Sequence, residues 1–247
     1  MPTIYLSPST QEYNAYITGA GSEEYFMNRI ADAMEPYLRA NAIRWQRNTP
    51  AMTAASSIAE SNRGNYDFHL ALHSNASGDG SSEGRARGII AFYYPTSRSG
   101  QRAANLFAAG LQRIYPLPDR VITRATTGLG EVRQTKAPAV LLEIGYHDNY
   151  ADARWIEDNI AAIAQNLVQS LTEYFGVPFL YPVPPVPGVV VTEEGPLSLR
   201  NYPGTEGKII GQLPRGAEVM IYGQWQGWYS LIYGQQTGYA AAAYVQI

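Results

Sequence analysis

The chain has no cysteine. That excludes a disulfide frame and a thiolate metal site, so any metal must rest on histidine, carboxylate, amide or water. Histidine is scarce too: His69, His73 and His147 are the only three in 247 residues. There is no long Lys/Arg run, and 18 basic against 21 acidic side chains give a net charge of −3 and a pI near 5.7. This excludes the basic footprint of a nucleic-acid binder. No apolar run is long enough to cross a bilayer. The opening residues, MPTIYLSPSTQ, enter a strand without the basic and apolar regions of a secretory leader. Neither a membrane partner nor a leader is therefore expected. What is present is a hydrophobic fraction of 45%, ample for a packed core, and a length that allows one large domain plus a small one.

A boundary is legible at 179–188, FLYPVPPVPG, where alternating proline favours an extended, stiff connector. Before it, strand-like and helix-like stretches alternate. Strands are expected at 3–6, 43–46, 68–72, 89–94 and 140–142. Helices are expected at 22–40, 52–62, 99–114 and 152–174. In the first helix Phe26, Met27, Ile30, Ala31, Met34 and Leu38 share a face. Ser22 suits its N-cap, and Pro36 should kink it or end it early. Such alternation predicts an α/β domain over 1–178, with a largely parallel sheet covered by helices on both faces. After the connector, 189–247 is rich in Gly, Tyr and Trp in short alternating runs, which predicts a small all-β barrel. Trp225, Trp228 and Tyr229 are expected in its core and groove wall.

Two stretches carry the chemistry. DFHLALHSNAS, 67–77, reads as an apolar strand that delivers His73 into a polar turn. APAVLLEIGYHDN, 137–149, has the same design, with Glu143 inside an apolar run and His147 four residues on. A carboxylate among Val, Leu and Ile is costly to bury unpaired, so Glu143 is expected to meet an ion or move a proton. Two such strand ends predict one site at the sheet edge, where open α/β folds place ligands. Asn75, Arg133 and His147 are the substrate-binding candidates. Each has a plainer alternative: Asn75 closing its turn, Arg133 solvated, and His147 bonded to Asp148.

Residues 3–176 resemble the zinc-dependent N-acetylmuramoyl-L-alanine amidases. The resemblance rests on LHSNAS, on QTKAPAVLLEIGY followed by HDNYAD, and on SEEYFMNRIADAM, in that order. Residues 189–247 resemble a bacterial SH3 domain through LSLRNYPG, IIGQLPRGAEV, GWYSL and TGYAAAAYV. The first resemblance implies Zn²⁺ held by a His after the first strand, a Glu opening the first helix and a His after the third strand. A water takes the fourth position and a second Glu serves as general base. His73 matches the second His and Glu143 the base. Glu23 gives a better register than Glu24 for the helix ligand.

The first His is missing. Where the family has Asp-Pro-Gly-His-Gly-Gly, this chain has Ser7-Pro8-Ser9-Thr10-Gln11-Glu12. Gln11 is the preferred substitute, through its amide oxygen. Glu12, His147 and a site of weak or no zinc affinity are the alternatives. His69 is discounted as a ligand, since four residues of strand set it about 13 Å from His73.

The resemblance implies a monomeric peptidoglycan hydrolase, cutting between the lactyl group of N-acetylmuramic acid and L-alanine. The barrel would hold bacterial peptidoglycan. With no leader, the chain would reach the wall after phage-type release or mother-cell lysis, unless it is exported with a leader that this sequence lacks. A non-catalytic wall-binding pseudo-amidase and a zinc peptidase acting within the stem peptide are the rival readings.

Overall fold

The computed structural model describes residues 1–78 and 82–247. Contacts divide the chain into two compact units. One comprises Thr3–Met34 and Trp45–Tyr174; the other gathers Met1–Pro2, Glu35–Arg44 and Phe175–Ile247.

A six-stranded sheet is built from β1 (Thr3–Pro8), β2 (Arg44–Arg47), β3 (Phe68–Asn75), β4 (Ile89–Tyr93), β5 (Val121–Ala125) and β6 (Ala139–Tyr146). Their order is β2-β1-β3-β6-β4-β5. β1, β3 and β6 are parallel neighbours, β4 runs antiparallel to β6, and β5 runs parallel to β4. The helices are α1 (Glu23–Ala40), α2 (Ala54–Arg63), α3 (Arg98–Gln112), the single turn α4 (Gly130–Arg133), α5 (Tyr150–Asp158) and α6 (Ile160–Phe175).

Strand alternation explains how both faces of the sheet are used. In β3, Phe68, Leu70 and Leu72 point one way, and Phe68 meets Phe107 of α3 and Tyr174 of α6. His69, Ala71 and His73 point the other way, where Ala71 clusters with Val132 of α4 and with Ala139 and Leu141 of β6. Register carries this second face across three strands. Tyr5 pairs with His69, Ser7 with Ala71, and His73 with Glu143.

Three expectations are corrected here. Pro36 neither ends nor shortens α1, which continues to Ala40. Pro36 and Asp32 are both exposed, so the carbonyl that proline leaves unpaired faces water. The helix expected over 152–174 is two helices, parted at Asn159, which leaves the helical range and bonds back to Ile156 O. Strand β5 and the turn α4 were not expected at all.

In the second unit, seven strands lie in the order β13-β7-β10-β11-β12-β8-β9: β7 (Val186–Val190), β8 (Leu197–Arg200), β9 (Ile209–Leu213), β10 (Glu218–Trp225), β11 (Trp228–Tyr233), β12 (Gln236–Ala241) and β13 (Val245–Gln246). Every pairing recorded among them is antiparallel. Val190, Leu199, Leu213, Ile221, Leu231 and Ala240 fill the core. In the same unit a smaller cluster joins Ala42, Leu180 and Tyr239, with Trp225 and Trp228 against it. The Asn41 side chain donates to Leu180 O and accepts from Leu180 N, at 2.9 and 2.6 Å, while Asn41 O accepts from Tyr239 OH at 2.8 Å.

Candidate functional site

The site forms where β3 and β6 reach their carboxyl ends. Between Glu143 and Tyr146 the β6 backbone takes one residue more than β3 needs, since His73 pairs with Glu143 and Asn75 with Tyr146. Gly145 absorbs the extra residue at φ +75°, a conformation L side chains rarely adopt. Asp152 then locks the turn. One of its oxygens accepts from Arg87 Nε and Tyr115 OH, at 2.8 and 2.6 Å, and the other from the amides of Gly88 and Tyr146, at 3.0 and 3.1 Å.

His73 faces two carboxylates. Its Nδ1 lies 2.8 Å from Glu23 Oε1 and its Nε2 lies 3.0 Å from Glu131 Oε2. Burial opposes charge on the ring, but the hydrogen bonds and charges of Glu131 and Glu23 prevail and hold its pKa well above the ordinary value. Glu23 is the first residue of α1 and is 1% exposed. Ser22 Oγ caps the helix by accepting from Tyr25 N at 3.2 Å. Burial pushes the Glu23 carboxyl up, and the stronger pull of His73, helped by Asn14, brings it below the usual range. Asn14 Nδ2 donates to Glu23 Oε2 at 2.6 Å and to Gln11 Oε1 at 3.2 Å. Gln11 Nε2 in turn lies 3.4 Å from His73 Nδ1.

Glu143 differs from Glu23 and Glu131 in keeping a buried oxygen unpaired. Its Oε2 is buried without a hydrogen bond among the described residues. Burial pushes its pKa up to about 7, against the lowering effect of His73 and with the repulsion of Glu23 and Glu131 adding to it. It is thus poised to take or give a proton near neutrality.

The remaining predicted residues are placed as follows. Asn75 spends its side chain on its own turn, accepting from Ala76 N at 2.8 Å, and its carbonyl accepts from His147 N. His147 is buried, with Nδ1 against Ser74 O and Oγ at 2.9 and 3.2 Å and its ring stacked on Tyr16. Its partner is Ser74; Asp148 instead accepts from Ser77 and Gly78. Arg133 is exposed and lines a separate concavity of about 440 Å³ with Arg98 and Lys136. Glu12 is exposed and Glu24 partly so. Two residues escaped the sequence reading. Asn14 carries no motif, and Glu131 sits on a single turn too short to show a period.

Among the described residues no three His, Cys, Asp or Glu side chains converge where they would hold a metal ion. The third donor here is an amide, and the fit must be judged with it. Glu23 Oε1 and Gln11 Nε2 stand 2.8 and 3.4 Å from His73 Nδ1. Neighbouring ligands of a tetrahedral zinc are separated by roughly 3.3 Å when each bond is about 2.0–2.1 Å. A half-turn of the Gln11 amide sets its oxygen in the place of Nε2, and it costs the bonds Oε1 accepts from Tyr13 OH and Asn14 Nδ2. With the orphaned Glu143 oxygen nearby, the residues fit zinc through two strong donors and one weak one.

Comparison with known proteins bears on the family and the fold. Residues 9–173 match the family model described as N-acetylmuramoyl-L-alanine amidase, and residues 195–246 match the bacterial SH3 domain. No curated protein matches the chain significantly. Among solved structures, the chain is similar to the catalytic domain of an N-acetylmuramoyl-L-alanine amidase from Bacillus (Paenibacillus) polymyxa. Identity is 20% and the TM-score 0.61, over 72% of this chain and all of that one. An N-acetylmuramoyl-L-alanine amidase of Nostoc punctiforme gives 14% identity and a TM-score of 0.61, over 71% of this chain and 97% of that one. The catalytic domain of an endolysin targeting Clostridia Difficile gives 19% and 0.57, over 70% and 98%. At these identities the likeness speaks for the fold. The family model, however, spans more than half of the sequence, and the chain belongs to the N-acetylmuramoyl-L-alanine amidase family.

Proposed function

We propose that this protein hydrolyses the amide between the lactyl group of N-acetylmuramic acid and L-alanine in peptidoglycan, with zinc held by Glu23, His73 and the Gln11 amide. The observation that carries the reading is Glu143. It is a partly buried carboxyl whose Oε2 is buried and unpartnered among the described residues, in register with His73, with its pKa pushed up to about 7. When bound, zinc supplies Lewis-acid polarisation of the scissile carbonyl and lowers the pKa of the attacking water.

The chain's own residues supply the rest. Glu143 accepts a proton from the water and passes it to the departing L-alanine amine. A pKa of about 7 suits both transfers, because the group is neither too weak a base nor too weak an acid. Asn14 holds the second oxygen of Glu23, and Asp152 holds the backbone at Tyr146 and so the end of β6. Arg133, beside Arg98 and Lys136, offers positive charge to the carboxylates of the stem peptide. The barrel holds the enzyme on the wall and raises the local substrate concentration without touching the chemistry.

The test is digestion of purified walls with chelator and with zinc restored, scoring new L-alanine amines and new reducing sugars. Amines that vanish with chelator and return with zinc support the proposal. Cleavage at other peptide bonds, or sedimentation with walls and no cleavage, refutes it.

A further inference from the structure

Glu131 is a charged side chain on this face that neither the family motifs nor the sequence reading assigns. It is 5% exposed, and burying a carboxylate is expensive unless its lone pairs are taken up. Here they are. Ser7 Oγ donates to Oε1 over 2.5 Å, His69 Nε2 lies 3.3 Å from the same oxygen, and His73 Nε2 lies 3.0 Å from Oε2. Burial pushes this carboxyl up, but the hydrogen bonds and charges of His69 and His73 hold it far below the usual range.

The hydrogen-bond direction at His73 is fixed by Glu131 itself. Beyond it, Ser61 Oγ lies 2.9 Å from His69 Nδ1, a contact in which either atom can donate. A carboxylate can only accept, so the bond between Glu131 and His73 needs its proton on Nε2. The short helix α4 is itself anchored. Val132 is packed against Ala71 and Leu141, and Thr135 Oγ1 donates to Glu131 O at 2.8 Å.

We propose that Glu131 is a positioning residue: by taking the Nε2 proton of His73 it fixes the ring's tautomer and turns Nδ1 toward Glu23 and Gln11. The inference rests on the zinc reading above for its consequence, because only an Nδ1 lone pair aimed at Glu23 can share an ion with it. Carboxylates placed behind a ligating imidazole in this way orient the ring and strengthen it as a donor. They commonly account for about 10–100-fold in metal affinity. In a site whose third donor is a neutral amide, that contribution matters more than it would beside a second imidazole.

The discriminating variant is Glu131→Gln. If the amide turns its NH₂ toward His73, Nε2 must become an acceptor and the proton moves to Nδ1, where it competes with metal. Zinc affinity measured by competition with a chromophoric chelator should fall about 10–100-fold. Nitrogen-15 spectra of the histidine rings should show the His73 proton leaving Nε2. A variant that binds zinc within twofold of the parent overturns the inference. Should the variant not fold, the parent protein loaded with zinc decides alone, with protonated Nε2 and metal-bound Nδ1 expected. Metal on Nε2 and a proton on Nδ1 overturn the inference. If the parent takes up no zinc, the zinc reading falls separately. The spectra then judge Glu131 by whether Nε2 keeps its proton in the parent and loses it in the variant.

Discussion

Replacing Glu143 by Gln should make the metal-free protein more stable at pH 8 than its parent, and hardly more stable at pH 4. Burial raises the Glu143 pKa from 4.5 to about 7. A group raised in this way stabilises the fold while it is protonated in both states, below pH 4.5. It loses that stability as pH rises through about 7, because the unfolded chain ionises first. At about 1.36 kcal/mol per pH unit the loss is about 3 kcal/mol, complete just above neutrality. Glutamine has nearly the same shape and cannot ionise, so it escapes the loss. Titration of Glu23, His73 and Glu131 largely cancels when variant and parent are compared at each pH. Thermal melts of the two apo proteins between pH 4 and 8 should therefore diverge by roughly 6–12 °C in the transition of the catalytic unit. Parallel curves, with the same offset at every pH, would refute the claim that the surroundings of Glu143 push its pKa up to about 7.

Other outcomes follow from the same structure. Glu143→Gln should keep zinc uptake yet lower turnover on soluble muropeptides by about 10²–10⁴-fold, the usual range for a lost general base; unchanged turnover removes Glu143 from that role. Gln11→Ala should weaken zinc binding in equilibrium dialysis while leaving the melting temperature close to the parent's, because Gln11 is only partly buried. Asp152→Ala strips four donors of their acceptor and should cost about 3–5 kcal/mol in denaturant titration, as for a broken buried ion pair. Phe107→Ala, on the opposite face of the sheet, should cost about 3–5 kcal/mol with zinc affinity unchanged.

How much was legible depended on how far each element's own residues recorded its surroundings. β3 and β6 are buried on both faces, so their apolar runs announce strands, and the polar residues breaking those runs, His73 and Glu143, announce the site. Strand β5 buries only Val121 of its five residues, and nothing in VITRA separates it from a loop. Glu131 is invisible for a related reason. Its meaning comes from Ser7, His69 and His73, which lie 58 to 124 residues away. The same holds for Asn14, which looks like a turn residue until Gln11 and Glu23 stand on either side of it. His69 is discounted as a direct ligand on its distance along the strand. That distance hid the fact that one carboxylate can reach both imidazoles on the same face. Pro36 misled because the hydrogen bond it removes lies on an exposed side of α1, where water can take up the freed carbonyl.

The clamp at Asn41 bears on how such proteins exchange parts. Asn41 and Ala42 follow directly on α1, yet their partners are Leu180 and Tyr239, and all four belong to the unit that carries the barrel. A recombination joint among Pro182–Pro187 would keep Leu180 and its two backbone bonds to the Asn41 side chain, but would replace Tyr239 and so remove the hydroxyl that Asn41 O accepts and part of the cover of Ala42. A foreign barrel would have to supply a hydroxyl like that of Tyr239 there. The inherited module is thus wider than the SH3 match at 195–246. It includes a ten-residue piece, Glu35–Arg44, encoded far upstream, which must travel or co-evolve with the barrel.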